Sequence, residues 1–245
     1  MEWRESCDTT SKILIITQMK DFKIRASACG KILTTPRKKS ENLSETAKNY
    51  LKTWWISEKY GRKQEIQSKY LTKGNVSEEA SITILNDYFL KNGRQILLKK
   101  NTEFFENEYM TGTPDLIHGN EVLDVKSVWT LFTMPFFDKT CPSLEYYFQL
   151  QTYLALTGKK KASLCYVLTN TPEFMIYDEA RRESYSRGLG GDIPKELEEE
   201  IRRLHTYDDI PLNERIKIFD IPRDDAVIAA IHAKVIACRE FLSSL

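Results

Sequence analysis

Two carboxylates and a lysine fall at chemically useful spacings within Gly112-Thr113-Pro114-Asp115-Leu116-Ile117-His118-Gly119-Asn120-Glu121-Val122-Leu123-Asp124-Val125-Lys126-Ser127. Gly119-Asn120 is a hairpin turn signal, flanked by the apolar runs Leu116-Ile117 and Val122-Leu123-Val125. Side chains alternate along a strand, so Asp124 and Lys126 project from one face while Val125 points into the core. Asp115, across the turn, is expected to come near them. Two carboxylates aimed at one point repel each other and ask for a cation between them, and an all-oxygen set with waters left over suits Mg2+ or Mn2+. Such an ion acidifies a bound water and neutralises a phosphodiester, while a neighbouring ammonium orients the water or stabilises developing charge. An isolated Asp-x-Lys is more often an ordinary ion pair on an exposed hairpin. The rest of the chain decides between the two.

The chain has 245 residues, 41% of them hydrophobic, enough for one large core, and no linker divides it. A single domain over 1–245 is expected. Its formal net charge of +1 points to neither a nucleic acid nor a membrane, so any basic surface has to be local. Cys7, Cys29, Cys141, Cys165 and Cys238 are scattered, odd in number and without a C-x-x-C pair. That pattern disfavours a disulfide framework, structural zinc or an iron–sulfur cluster, and fits free thiols in a reducing compartment. No apolar run approaches membrane length and Met1-Glu2-Trp3-Arg4-Glu5 lacks a signal-peptide pattern, so a soluble cytoplasmic protein without a membrane partner is expected. His118, His205 and His232 are isolated, and without a G-x-x-x-x-G-K-[ST] loop no ATP-driven motor is encoded.

The elements that would position these groups follow from caps and periodicity. After the short apolar run Ile13-Leu14-Ile15-Ile16, Ser27 is expected to cap a short helix with Lys20, Lys23 and Arg25 nearby. Such a helix start could hold a phosphate; capping with solvated lysines is the simpler reading of these residues alone. A helix should run from Ser44 to about Tyr60, stopped by Gly61, with Ala47, Tyr50, Leu51 and Trp54 on one face and Trp55 off it. Gly74 is expected to break the next helical stretch, and Ser77 to cap a helix reaching Asn92-Gly93. On it Glu78 shares a stripe with Ile82, Leu85 and Phe89 and so needs a cation or hydrogen-bond partner, whereas Glu79 lies on the polar side. Glu78 is therefore the third acid.

Arg94 to Tyr109 reads as strands leading into the hairpin, and Trp129 to Pro142 as an aromatic-rich connection. Ser143 opens a helix ended by Gly158, on which Gln149 and Tyr153, four apart, face one way. Ala162 to Thr169 and Phe174 to Tyr177 read as paired strands, and Arg181, Arg182, Arg187 with Gly188, Gly190 and Gly191 as a basic loop. An acidic helix over Ile193 to Leu204 should turn Leu197, Ile201 and Leu204 inward. A strand over Arg215 to Ile221 and a helix starting near Asp224 close the chain.

Taken in order, Gly74 with Glu78, Thr113-Pro114-Asp115, Asp124-Val125-Lys126 and Gln149-Leu150-Gln151-Thr152-Tyr153 resemble the PD-(D/E)xK nuclease superfamily. The Q-x-x-x-Y helix points to its RecB-like and phage lambda exonuclease branch, the YqaJ-like viral recombinases. The likeness runs from about Lys20 to the C-terminus, because Ile24-Arg25-Ala26-Ser27 looks like that branch's phosphate-site segment and Glu214-Arg215-Ile216 through Leu242 like its closing strand and helix. It implies a mixed α/β fold with a restriction-endonuclease-like core, a central mixed β-sheet flanked by helices. In that frame an N-terminal helical and phosphate-site segment covers about 1–75, a catalytic core about 76–180 and a C-terminal strand and helix about 192–245.

The resemblance implies metal binding by Glu78, Asp115 and Asp124 with the Val125 carbonyl, catalysis by Lys126, Gln149 in the active site and Tyr153 supporting it. It also implies a pocket for a terminal 5′-phosphate, where Ser27 and Thr113 stand in the expected places, Lys20 at a basic position and Arg25 beside them. The implied activity is Mg2+-dependent 5′-to-3′ exonuclease action on linear double-stranded DNA, with Mn2+ able to substitute and no ATP. It leaves 3′ single-stranded tails for phage-type recombination with a single-strand annealing protein. The enzyme would be a homo-oligomeric ring, such as a trimer, in the cytoplasm of a bacterial or phage-infected cell. Asp124 departs from the glutamate usual in lambda-type enzymes, and Phe132 and Met134 lie where a further basic residue would charge the pocket. The rival readings are a structure-specific or restriction-type DNA endonuclease of the same fold and a catalytically inactive DNA-binding module.

Overall fold

Val122, Leu123, Asp124 and Val125 are all buried, so the strand that carries the Asp-x-Lys pair is covered on both faces. A computed structural model describes residues 21–62 and 68–245. In it the chain runs β1 (Ile24–Arg25), α1 (Cys29–Ile32), α2 (Glu45–Tyr60), α3 (Lys69–Lys91), β2 (Phe105–Glu106), β3 (Met110–Gly112), β4 (Leu116–His118), β5 (Glu121–Ser127), α4 (Leu144–Thr157), β6 (Lys161–Val167), α5 (Glu173–Ser186), α6 (Lys195–His205), β7 (Ile216–Pro222) and α7 (Asp225–Ser243).

The main sheet has the order β4-β5-β6-β7. β4 and β5 form the expected antiparallel hairpin, with Leu116 opposite Leu123 and His118 opposite Glu121. Gly119 turns it at φ 55°, a left-handed conformation that glycine adopts without a Cβ clash. β5 and β6 are parallel and joined through α4, and β7 closes the sheet antiparallel to β6. On one face Leu123 and Val125 pack against Ile82, Leu85 and Phe89 of α3. On the other, Val122 packs against Leu150, Tyr153 and Leu154 of α4. The family resemblance implied this mixed sheet flanked by helices; it did not reveal a second sheet of order β1-β3-β2, made of strands only two or three residues long. No helix among the described residues is long and apolar enough to cross a membrane.

Local capping signals hold where packing agrees with them. Ser44 accepts from Ala47 N–H at the start of α2, which Gly61 ends at φ 62°. Ser143 and Gly158 bound α4, and Asp224 caps α7 through the N–H groups of Ala226 and Val227. Elsewhere tertiary contacts override them. Helix α3 starts at Ser68, not Ser77, so Gly74 lies inside it. A mid-helix glycine costs about 1 kcal/mol, less than α3 recovers by packing along the sheet.

Residues 94–104 form no strand beyond an isolated bridge between Lys100 and Leu116. Phe174 to Tyr177 belong to α5, where Met175, Ile176 and Ala180 turn inward at helical spacing, and the place beside β6 belongs to β7. Arg181 and Arg182 therefore lie on a helix, and Arg187 ends it. In α6 it is His205, not Leu204, that joins Leu197 and Ile201 in the interior.

The second sheet approaches α4 closely at Gly112. A Cβ at Gly112 of β3 would stand 2.8 Å from Tyr153 Cε1 and 3.0 Å from Ala26 Cβ. Gly112→Ala is expected to lower stability by about 1–3 kcal/mol in a denaturant titration. Wild-type stability in that variant would contradict the close approach.

Candidate active site

The ladder between β4 and β5 ends at Leu116–Leu123, so no strand residue faces the Val125 N–H. Asp115 takes that place, its Oδ2 accepting from Val125 N–H at 2.8 Å. The N–H and C=O of one residue point to the same strand edge, so the Val125 carbonyl opens on this side too. One residue back, Asp124 lies on the face covered by α4 and is fully buried. Lys126 Nζ stands 2.6 Å from its Oδ2, and Gln149 Nε2 donates to its Oδ1 at 3.0 Å. The same Gln149 amide lies 3.0 Å from the Tyr153 hydroxyl, so the four-residue spacing read from α4 joins both groups to one carboxylate.

Charge in this cluster is out of balance. Burial first, and then the Asp124 carboxylate, push Asp115 up to about 7, with Glu78 adding to the shift and Lys126 opposing it. Burial pulls the Lys126 ammonium down, but Asp124 and Asp115 outweigh it and hold the group above the usual lysine range. Burial and the nearby Asp124 push the Tyr153 phenol up to about 12.

Glu78 lies on α3, half-buried, and faces the same cleft of about 520 Å³ as Asp115, Val125, Lys126, Gln149 and Ser27. Its expected cationic partner is Lys100, 2.6 Å away. Among the described residues no three Asp, Glu, His or Cys side chains stand close enough to close around an ion. The tight convergence of three acids expected from the sequence is therefore absent as the side chains stand, because Glu78 turns to Lys100 and Lys126 covers Asp124. The donor types still fit a hard divalent cation: two neighbouring carboxylates, a backbone carbonyl on the same edge, a third acid across the cleft, and an Asp115 that burial, with Asp124 beside it, keeps hard to ionise.

Ser27 does not cap a helix. It sits in the middle of a 3-10 turn, Ala26–Ala28, into which β1 runs directly and which has no side-chain cap. Arg25, Ser27 and Thr113 come together around a second pocket of about 330 Å³, walled also by Phe104 and Tyr153. Lys20 lies outside the described residues. A larger groove of about 860 Å³ along β7 holds none of these residues.

Sequence reasoning missed Lys100, whose position depends on an irregular segment, and Lys73, Tyr70 and Trp129. Lys73 is buried and donates to the Trp129 carbonyl at 2.9 Å, and burial pulls its ammonium down to about 8. Its signal was the stripe Lys73, Ser77, Ser81, legible only once α3 extends past Gly74.

No protein-family model and no curated protein matches the chain. Solved structures do. A phage-related exonuclease from Haemophilus somnus 129PT is 26% identical over 92% of this chain and 95% of that one, with a TM-score of 0.71. An alkaline exonuclease from Laribacter hongkongensis is 18% identical over 91% of this chain and 88% of that one, with a TM-score of 0.60, and has also been solved in complex with dAMP. The chain has the fold of these exonucleases, and the resemblance to the viral-recombinase branch of the PD-(D/E)xK nucleases holds.

The raised Asp115 gives a pH signature. A carboxyl whose folded pKa lies near 7 against an ordinary 3.8 costs no stability below pH 3.8, where folded and unfolded chains are both protonated, and destabilises the metal-free fold progressively as pH rises from there to about 7. Asparagine keeps the acceptor for Val125 N–H without the charge. Asp115→Asn should stabilise the metal-free protein at pH 8 by on the order of 2 kcal/mol, a gain that shrinks toward pH 4, in parallel thermal melts. A pH-independent difference would contradict the assigned burial and charge.

Proposed function

We propose that this chain is a metal-dependent exonuclease that degrades linear double-stranded DNA from its 5′ ends, leaving 3′ single-stranded tails for phage-type recombination. The observation that carries the reading is the junction of Asp115, Asp124 and Lys126 at the open end of the β4–β5 hairpin, in a chain with an exonuclease fold. Mg2+ or Mn2+ would be held by Asp115, Asp124 and the Val125 carbonyl with Glu78 as the further acid, and when bound supplies charge neutralisation at the phosphodiester and an acidified water.

The side chains divide the remaining work. Lys126 is kept charged by its two carboxylate neighbours, so it stabilises negative charge developing on the phosphate or orients the attacking water. Gln149 fixes the Asp124 carboxylate, and Tyr153 fixes Gln149. Arg25, Ser27 and Thr113 offer a cation, two hydroxyls and a small pocket to a terminal 5′-phosphate. A near-neutral chain gains hold on a polyanion by enclosing it, so we place the enzyme in a homo-oligomeric ring, working with a single-strand annealing protein.

Lys126→Ala and Asp115→Ala should each lower Mg2+-dependent digestion of linear duplex at least about 10²-fold while DNA binding persists. Full activity in either would remove the reading. Closed circular duplex should stay intact, and nicking of it would favour the endonuclease alternative. Removing the 5′-phosphate from linear duplex should slow digestion, and Ser27→Ala combined with Thr113→Ala should erase most of that difference. Equal rates of the wild type on both ends would mean that the pocket binds no phosphate.

A further inference from the structure

Trp129 stands between two clefts. It lines the catalytic cleft with Tyr70, Asp115 and Lys126, and it lines a groove of about 240 Å³ between α3 and α5 with Lys69, Phe174 and Arg182. The chemistry assigned so far does not use it. Its ring meets Tyr70 edge to face, with centroids 5.0 Å apart at 71°, and both Tyr70 and Phe174 are more than half exposed.

Trp129 sits in irregular chain, three residues beyond Lys126, where little secondary structure fixes it. Lys73 supplies the missing anchor. Its side chain is 1% exposed, it has no ion pair among the described residues, and it donates to the Trp129 carbonyl at 2.9 Å while lying 5.5 Å from the centre of the Trp129 ring. Burying an ammonium without a carboxylate is unfavourable by several kcal/mol. A methionine would fill the same space without that penalty, so the arrangement makes sense as a clamp on Trp129 rather than as core filling.

The two clefts differ in what they offer a nucleotide. Asp115 and Lys126 form a phosphate end. In the α3–α5 groove Lys69 and Arg182 both turn to Glu179, at 3.4 and 3.6 Å, and Asp178 lies beside them, so the charges cancel and no track for a phosphate backbone remains. Between these pairs the groove presents the rings of Trp129 and Phe174 beside Met175, with the Lys69 ammonium 5.0 Å from the centre of the Trp129 ring, and the part of a nucleotide that seeks aromatic surface is an unpaired base.

We propose that Trp129, braced by Tyr70 and positioned by Lys73, stacks on an unpaired base of the strand whose linkage lies at Asp115 and Lys126. This rests on the nuclease reading and adds to it a residue that contacts the base beside the cleaved linkage. Trp129 is the base-contacting residue; Lys73 acts through it.

The test measures binding without turnover. Linear duplexes with a short 5′ overhang are titrated in EDTA by fluorescence anisotropy, with an abasic nucleotide placed at each overhang position in turn. For the wild type, one position should matter, the abasic residue weakening binding about fivefold or more. Trp129→Ala should bind intact and abasic ends equally, Trp129→Phe should keep part of the preference, and Lys73→Met should reduce it while melting as a folded protein. An unchanged preference in Trp129→Ala, or none in the wild type, overturns the proposal, and an unchanged preference in Lys73→Met overturns the positioning role. If the preference follows Trp129 but Mg2+ brings no cleavage, the stacking site stands and the nuclease reading falls.

Discussion

Asp124 is a carboxylate with no solvent contact, and the site is built around meeting its charge. An ammonium at 2.6 Å and an amide at 3.0 Å do so within the protein. Such an arrangement rarely stabilises a fold more than apolar side chains of the same volume would, whereas removing one partner leaves an uncompensated charge. β5 therefore carries a destabilising group at the centre of the molecule, offset by the packing of Leu123 and Val125 under α3 and Val122 under α4. Retaining a buried acid, an ammonium and a second acid with a raised pKa is the pattern expected of a functional site rather than of scaffold.

The shortness of β4 gives this pair its opening. Had the strand continued, a backbone carbonyl would meet Val125 N–H and the edge would be closed. Instead the chain joins the sheet only at Leu116, the Asp115 side chain takes the place of a longer strand, and the backbone of 99–101 crosses outside it through the bond from Asn101 N–H to the Asp115 carbonyl. That crossing also delivers Lys100 to Glu78. A strand end, a carboxylate and an irregular segment thus account together for both the cleft and the charges lining it.

The parts of this arrangement that rest on near neighbours could be read from the chain. The Gly119-Asn120 turn, the alternation of Asp124 and Lys126, the Ser143 cap and the Gln149–Tyr153 spacing are decided within two to four residues, and all appear as expected. What depends on distant partners could not be read. Gly74 looks like a breaker until α3 has a sheet to pack on, and Phe174 to Tyr177 pass for a strand until β7 is seen beside β6. Glu78 was placed on the right helix, but its engagement by Lys100 needed the path of residues 94–104. Ser27 lines a pocket with Arg25 and Thr113 but caps no helix, because it turns with a 3-10 segment that the serine alone does not reveal.

If Asp115 and Asp124 share a divalent cation at the Val125 edge, anomalous diffraction from crystals soaked in Mn2+ will show a peak between the two carboxylates and against the Val125 carbonyl. Lys126 will then stand displaced from direct contact with Asp124. A peak elsewhere, or an undisturbed Lys126–Asp124 pair with no peak at saturating Mn2+, would contradict the shared cation.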